Sequence, residues 1–156
     1  MAPREVGMRF GTGRLTLRLP ERADILSGPT IPRLVDPAAA VRAALQHPIG
    51  SPPLRMIAAQ KRPRRAVITM SDITRPVPNE LLITAILAEL NAAGVPDEAC
   101  TILIATGMHR PSTDREREVM LGVDLLRRCR VVDHEDDKPA TLVRVSDDPP
   151  VSINRL

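Results

Sequence analysis

Two short stretches carry the residue types that could do chemistry, and they are built alike. Residues 71–78 read SDITRPVP, with the acid Asp72, the hydroxyls Ser71 and Thr74, and Arg75 before two prolines. Residues 105–113 read ATGMHRPST, with Gly107, His109 and Arg110 before Pro111. A histidine titrates near neutrality, so it can take a proton from a hydroxyl and return it. An arginine can grip a carboxylate with two parallel N–H donors. An aspartate can orient either group or accept from a sugar hydroxyl. Gly107 lets a ligand approach the backbone closely, and a helix start just beyond it favours anions. Asp72, Thr74, Arg75, Gly107, His109 and Arg110 together point to acid–base chemistry on a small anionic substrate. The same residues also have a purely structural reading. In it Asp72 and Arg75, three apart, pair and close a turn, His109 donates to a backbone carbonyl, and Arg110 caps a helix.

The flanking segments must position these side chains. Residues 66–70, AVITM, are short, apolar and rich in β-branched residues, which predicts a buried strand. A helix should follow at once, with Asn79 as its cap and Glu80 in its first turn, running to about Ala93. Gly94 can take the left-handed cap conformation, and Pro96 prevents resumption. Residues 101–105, TILIA, predict a second buried strand. Strand, helix, strand with short connections makes parallel strands with a right-handed crossover, and ligands bind at the carboxyl ends of such strands. Thr113 and Glu116 have capping-box spacing, so the next helix should start there. Residues 125–129 predict helix, and 130–132, 141–145 and 151–154 predict short strands.

Upstream, 6–10 and 14–19 alternate in polarity around Gly11-Thr12-Gly13, the signature of a β-hairpin. Residues 21–36 are rich in proline and charge and read as a connector. Asp36-Pro37 starts a helix that ends at the proline-bearing turn around His47, and 54–59 predict another short helix. The expected fold is α/β: a Rossmann-like open parallel sheet with helices on both faces, preceded by an N-terminal β-hairpin. It is read as one domain over 1–156, with hairpin and connector in 1–35 and the α/β core in 36–156.

The chain has 156 residues, enough for one domain with a real core. Phe10 is its single aromatic residue, which argues against a stacking platform for single-stranded nucleic acid. The net charge of +3 is local, with four positive side chains in Lys61-Arg62-Pro63-Arg64-Arg65. That run could meet phosphates, but a solvated connector explains it more simply. Cys100 and Cys129 are too few and too far apart for a disulfide framework or a paired-cysteine zinc site. No segment approaches the roughly 20 apolar residues that span a bilayer, and the N-terminus lacks a leader-type apolar stretch. The expectation is a cytoplasmic protein that binds neither membrane nor nucleic acid. The acidic loop 133–137, containing His134, reads as solvated rather than metal-binding. No P-loop or GxGxxG occurs.

Three motifs carry a family resemblance: LQHPIGS at 45–51, SDITRPVP at 71–78 and ATGMHRPST at 105–113. Their order and spacing are similar to those in the N-terminal domain of the nickel-pincer lactate racemases. The likeness extends through the first hairpin and the His134 region. It implies a racemase or epimerase of 2-hydroxy acids that uses a nickel-pincer nucleotide, a nickel ion held in a modified pyridinium nucleotide. In that scheme a hydride leaves the α-carbon and returns to either face, and His109 is one of two acid–base histidines on the substrate hydroxyl. Arg75 helps bind the substrate carboxylate, and Asp72 orders the site. Asp72, Thr74, Thr106 and Gly107 would contact the cofactor. His47 takes no catalytic role.

The family attaches its cofactor to a lysine and ligates nickel with a histidine, both in glycine-rich sequence downstream of the stretch matched here. It needs its second acid–base histidine there too. Lys138 lies in an acidic loop and His134 on another element, so neither replaces them. The chain is therefore expected to be a fragment, a split subunit or an excised domain. It should need the C-terminal portion or a complementary chain, and by itself it should not racemise lactate. The alternative is a non-catalytic α/β module that binds a nucleotide or small carboxylate.

Overall fold

The computed structural model describes residues 4–156. The first three residues, part of the stretch read above for a leader, lie outside them. Two compact units result, one ending at Arg33 and one spanning Leu34–Leu156.

In the first unit, alternation of polar and apolar residues yields strands β1 (Arg4–Phe10) and β2 (Gly13–Leu19), paired antiparallel. Gly11 turns the chain at φ 56°, a value that glycine adopts without strain.

In the second unit Asp36 caps helix α1 (Pro37–Gln46), accepting from Ala39 N at 2.9 Å, with proline in the first turn as expected. Helix α2 (Leu54–Lys61) follows, and the basic run begins at its C-terminal end, where cations complement the helix dipole. Strand β3 (Ala66–Ser71), helix α3 (Asn79–Ala92), strand β4 (Cys100–Ala105), helix α4 (Asp114–Arg128) and strand β5 (Arg130–Asp133) then alternate. The three strands form a parallel sheet in the order β3-β4-β5, flanked by helices. Such an order follows from two successive crossovers of the same hand. Helix α3 packs against α1, α2 and α4, so its apolar residues are the centre of the core. Leu87, Ile102, Ile104, Leu121 and Leu125 are fully buried there. Along β3, Ile68 and Met70 are buried while the alternating Val67 and Thr69 are exposed, the period-two pattern of a strand.

Strands β6 (Leu142–Asp147) and β7 (Pro150–Asn154) form a separate antiparallel hairpin rather than extending the parallel sheet. Among the described residues no helix is long and apolar enough to cross a membrane.

One local expectation needs correction. Asn79 does not cap α3: it is the first helical residue, Pro78 holds the cap position, and no side chain bonds there. Asn79 is buried, and its Nδ2 has no partner. Pro76 and Pro78 restrict the backbone enough to start the helix without a capping side chain. Helix α4 is interrupted within its length, where Gly122 takes φ 70°, ψ 161°.

Candidate active site

The two motifs follow two adjacent parallel strands, and sheet register brings them together. Ser71 pairs with Ala105, so Asp72 and Thr106 are the next residues on each strand. Each loop then turns in the same way: Arg75 N donates to Asp72 O at 3.2 Å, and His109 N donates to Thr106 O at 3.0 Å. In the second turn Gly107 sits at φ 58°, with open space where a Cβ would stand. These matched turns carry Asp72 and His109 toward each other.

Asp72 is buried at 7% exposure and its carboxylate is fully engaged. Oδ1 accepts from Thr74 Oγ1 at 2.6 Å and from Thr74 N at 3.3 Å. Oδ2 lies 2.6 Å from His109 Nδ1. The Thr74 hydroxyl first, then the His109 ring, hold the Asp72 carboxyl below the usual carboxylate range. An ionised Asp72 can only accept, so His109 Nδ1 carries the proton and Nε2 is left as the free basic nitrogen. The His109 side chain is 55% exposed and can reach a substrate.

The pair lies on the wall of an open depression of about 270 Å³ that Thr74, Arg110, Ser112 and Glu116 also line. Arg110 grips the Glu116 carboxylate with both terminal nitrogens, at 2.8 and 2.7 Å. Glu116 closes the predicted capping box with Thr113 at the start of α4. The Arg110 guanidinium, followed by Thr113 N–H, pulls the Glu116 carboxyl down to about 2.

Other candidates sit differently. Arg75 does not pair with Asp72. Its Nη1 donates to Thr74 Oγ1 at 3.3 Å, and it stands outside the lining of the depression. The Thr106 hydroxyl donates to the His134 carbonyl and is buried. Gly107 is exposed, outside the lining of the depression. His47 ends α1, its N–H donating to Ala43 O at 2.9 Å. Lys138 pairs with Glu135 at 2.5 Å. The structural reading of the loops fails at His109, whose partner is a carboxylate rather than a backbone carbonyl.

The sequence reading did not pick out Asp133. It ends β5, is buried, accepts from Ser112 N at 3.0 Å and pairs with Arg117 of α4. In sequence it looks like the first residue of a solvated acidic loop. The one available signal was its place at a strand end level with the other two loops.

An open parallel sheet with a buried carboxylate holding a histidine beyond two strand ends defines an α/β domain with a carboxylate–histidine pair at the carboxyl edge of its sheet. The profile of the lactate racemase N-terminal domain matches residues 10–156, and the chain belongs to that family. It is 36% identical over 105 residues to the lactate racemase of Lactiplantibacillus plantarum, a match covering 67% of this chain and 24% of that protein. It is 37% identical over 95 residues to the lactate racemase of Thermoanaerobacterium thermosaccharolyticum, covering 61% of this chain and 22% of that one. The solved structure of the lactate racemase apoprotein from the latter organism superposes with a TM-score of 0.75 at 26% identity. That superposition covers 97% of this chain and 36% of the other. The chain thus matches about a quarter of the length of its curated relatives.

Proposed function

We propose that this chain supplies the acid–base half of a site that racemises or epimerises a small 2-hydroxy acid. The observation that carries the reading is the 2.6 Å contact between the buried Asp72 carboxylate and His109 Nδ1, with Nε2 open to the depression. In this scheme His109 Nε2 takes the proton of the substrate hydroxyl while the α-hydrogen leaves as a hydride to an acceptor that the rest of the enzyme would hold, and gives the proton back when the hydride returns. Asp72 keeps the ring in the productive tautomer and stabilises the imidazolium that forms transiently. Arg75, exposed on the same loop though outside the lining of the depression, is the partner for the substrate carboxylate once it leaves Thr74.

The family resemblance implies a nickel-pincer nucleotide that accepts and returns the hydride. Among the described residues no group of three or more His, Cys, Asp or Glu side chains is placed to hold a metal ion. Thr74 and Thr106 both use their hydroxyls within the chain and both Asp72 oxygens are taken, which leaves the backbone at Gly107 as the uncommitted approach among the four expected cofactor contacts. These residues do not by themselves fit the metal-bearing group, and no step is routed through it.

The experiment grafts this chain in place of the matching part of the Thermoanaerobacterium lactate racemase and follows interconversion of D- and L-lactate by chiral chromatography. The graft should racemise, the chain alone should not, and His109→Gln in the graft should lower kcat about 10²–10⁴-fold, the usual worth of a general acid–base. A folded His109→Gln graft with undiminished kcat would refute the assignment.

A further inference from the structure

The loop that bears His109 is tied at both ends to the segment leaving β5. At its start the Thr106 hydroxyl donates to the His134 carbonyl, while His134 N donates to Ile104 O at 2.9 Å. At its far end Ser112 N donates to Asp133 Oδ1 at 3.0 Å. The side chain of Asp133 is only 3% exposed, and Arg117 reaches it from α4. The loop has one more restraint, the Arg110–Glu116 pair, but that pair joins it to α4. Asp133 joins it to the sheet, where Ile104 and Asp133 are paired across β4 and β5. That is the sheet whose β3 end carries Asp72. The separation of His109 from Asp72 is therefore measured between two points on one rigid frame, and Asp133 is the far fixing point.

Asp133 is buried while the Arg117 side chain keeps 28% exposure, so desolvation of the carboxylate offsets part of the pair's attraction and makes it a costly way to stabilise a fold. This pair is also incompletely satisfied, since Arg117 Nε is buried without a partner. Leucine-like packing would serve stability at least as well. What packing cannot supply is a directed acceptor for the Ser112 N–H.

We propose that Asp133 is a positioning residue: by holding Ser112 N–H it sets the loop so that His109 Nδ1 meets Asp72. The inference deepens the reading of His109 as the proton-transfer group, and rests on that reading for its functional meaning.

The test uses the chain itself, isotopically labelled, and needs no turnover. Long-range ¹H–¹⁵N spectra at mildly alkaline pH report which His109 nitrogen carries the proton, and hydrogen exchange reports the Ser112 amide. In the unsubstituted chain the proton should sit on Nδ1 and the Ser112 amide should be protected. The paired change Arg117→Met with Asp133→Leu removes the acceptor without leaving a buried unpaired charge. It should speed Ser112 exchange roughly tenfold or more, the worth of a hydrogen bond to a charged acceptor. It should also shift His109 toward a mixture of tautomers while the core amides keep their protection. An intact core with unchanged His109 and Ser112 signals would overturn the proposal. Should that variant fail to fold, the unsubstituted chain decides: a Ser112 amide exchanging as fast as that of exposed Arg110 removes the anchor. A graft that folds and never racemises would remove the catalytic reading alone and leave the anchor standing.

Discussion

At the scale of single residues, the site is governed by which groups are already taken. Asp72 has no spare oxygen: one faces Thr74 and the other His109. Its task is to hold an imidazole, and losing the charge should matter more than losing volume. Asp72→Asn keeps the size but offers a weaker, neutral acceptor. In the racemising graft it should lower kcat by roughly 10²–10⁴, in line with the loss of a carboxylate that orients a catalytic imidazole, with KM changed much less. A kcat within threefold of the parent, about the scatter expected for an unrelated surface change, would mean that Asp72 does not orient His109. Glu116 gives a different prediction, on stability. Its carboxyl falls from an ordinary value of 4.5 to about 2, so the folded state favours the ionised form. The contribution is complete above about pH 4.5 and is lost as the pH falls toward about 2. Denaturant titrations of Glu116→Gln should therefore show a shallower acid loss of stability across that window than the parent, with Asp72, Asp97 and Asp133, also shifted down, contributing to the remainder. Parallel acid limbs in the two proteins would contradict this.

At the scale of elements, paired parallel strands keep the site's two loops level, and α4 departs from regular helix geometry at one residue. Gly122 takes a backbone conformation close to glycine-only space in the middle of that helix. A Cβ there would also meet the Glu80 carboxylate, with Oε1 at 2.5 Å. The two costs differ in kind. The carboxylate is the end of a flexible side chain and can swing away, whereas the φ/ψ strain has no outlet. Gly122→Ala should therefore destabilise the chain by about 1–3 kcal/mol, and Glu80→Ala in the same background should recover little of it. Full recovery in the double variant, read by thermal or denaturant unfolding, would assign the cost to the side-chain clash instead.

At the scale of the whole molecule, the β3-β4-β5 sheet and its helices enclose one core, and both cysteines lie inside it. Cys100 and Cys129 are 0% and 6% exposed. Burial raises both thiols, that of Cys129 to about 11, so neither presents a thiolate at neutral pH. An aromatic disulfide reagent should label both only at the rate of unfolding, with the same denaturant dependence for each. A fast native-state burst from either thiol would show an opening that this packing does not contain. The same scale governs activity, since the matched stretch is about a quarter of each curated lactate racemase. The proposed chemistry is accordingly tested in a graft.

Much of this was determined by the sequence itself, because the signals are local. Asp36-Pro37, the Thr113–Glu116 box and Gly94 each set a helix boundary through bonds to residues within a turn. AVITM and TILIA state their burial in their own composition. Strand, helix, strand at short spacing then requires a parallel pair, which alone makes neighbours of SDITRPVP and TGMHRPST. The family was legible too, in three motifs whose order does not depend on any contact. Tertiary structure decided who touches whom. Asp72 could have paired with Arg75 three residues away, and turned instead to His109 thirty-seven residues on, because matched turns at adjacent strand ends bring those two side chains within 2.6 Å. Arg110 found Glu116, and Asn79 lost its capping role to the two prolines before it. Asp133 read as solvent-facing until β5 placed it under the His109 loop. Such contacts depend on register between strands and on how a helix lies across them. Those are set by the packing of the whole core, which no window of neighbouring residues contains.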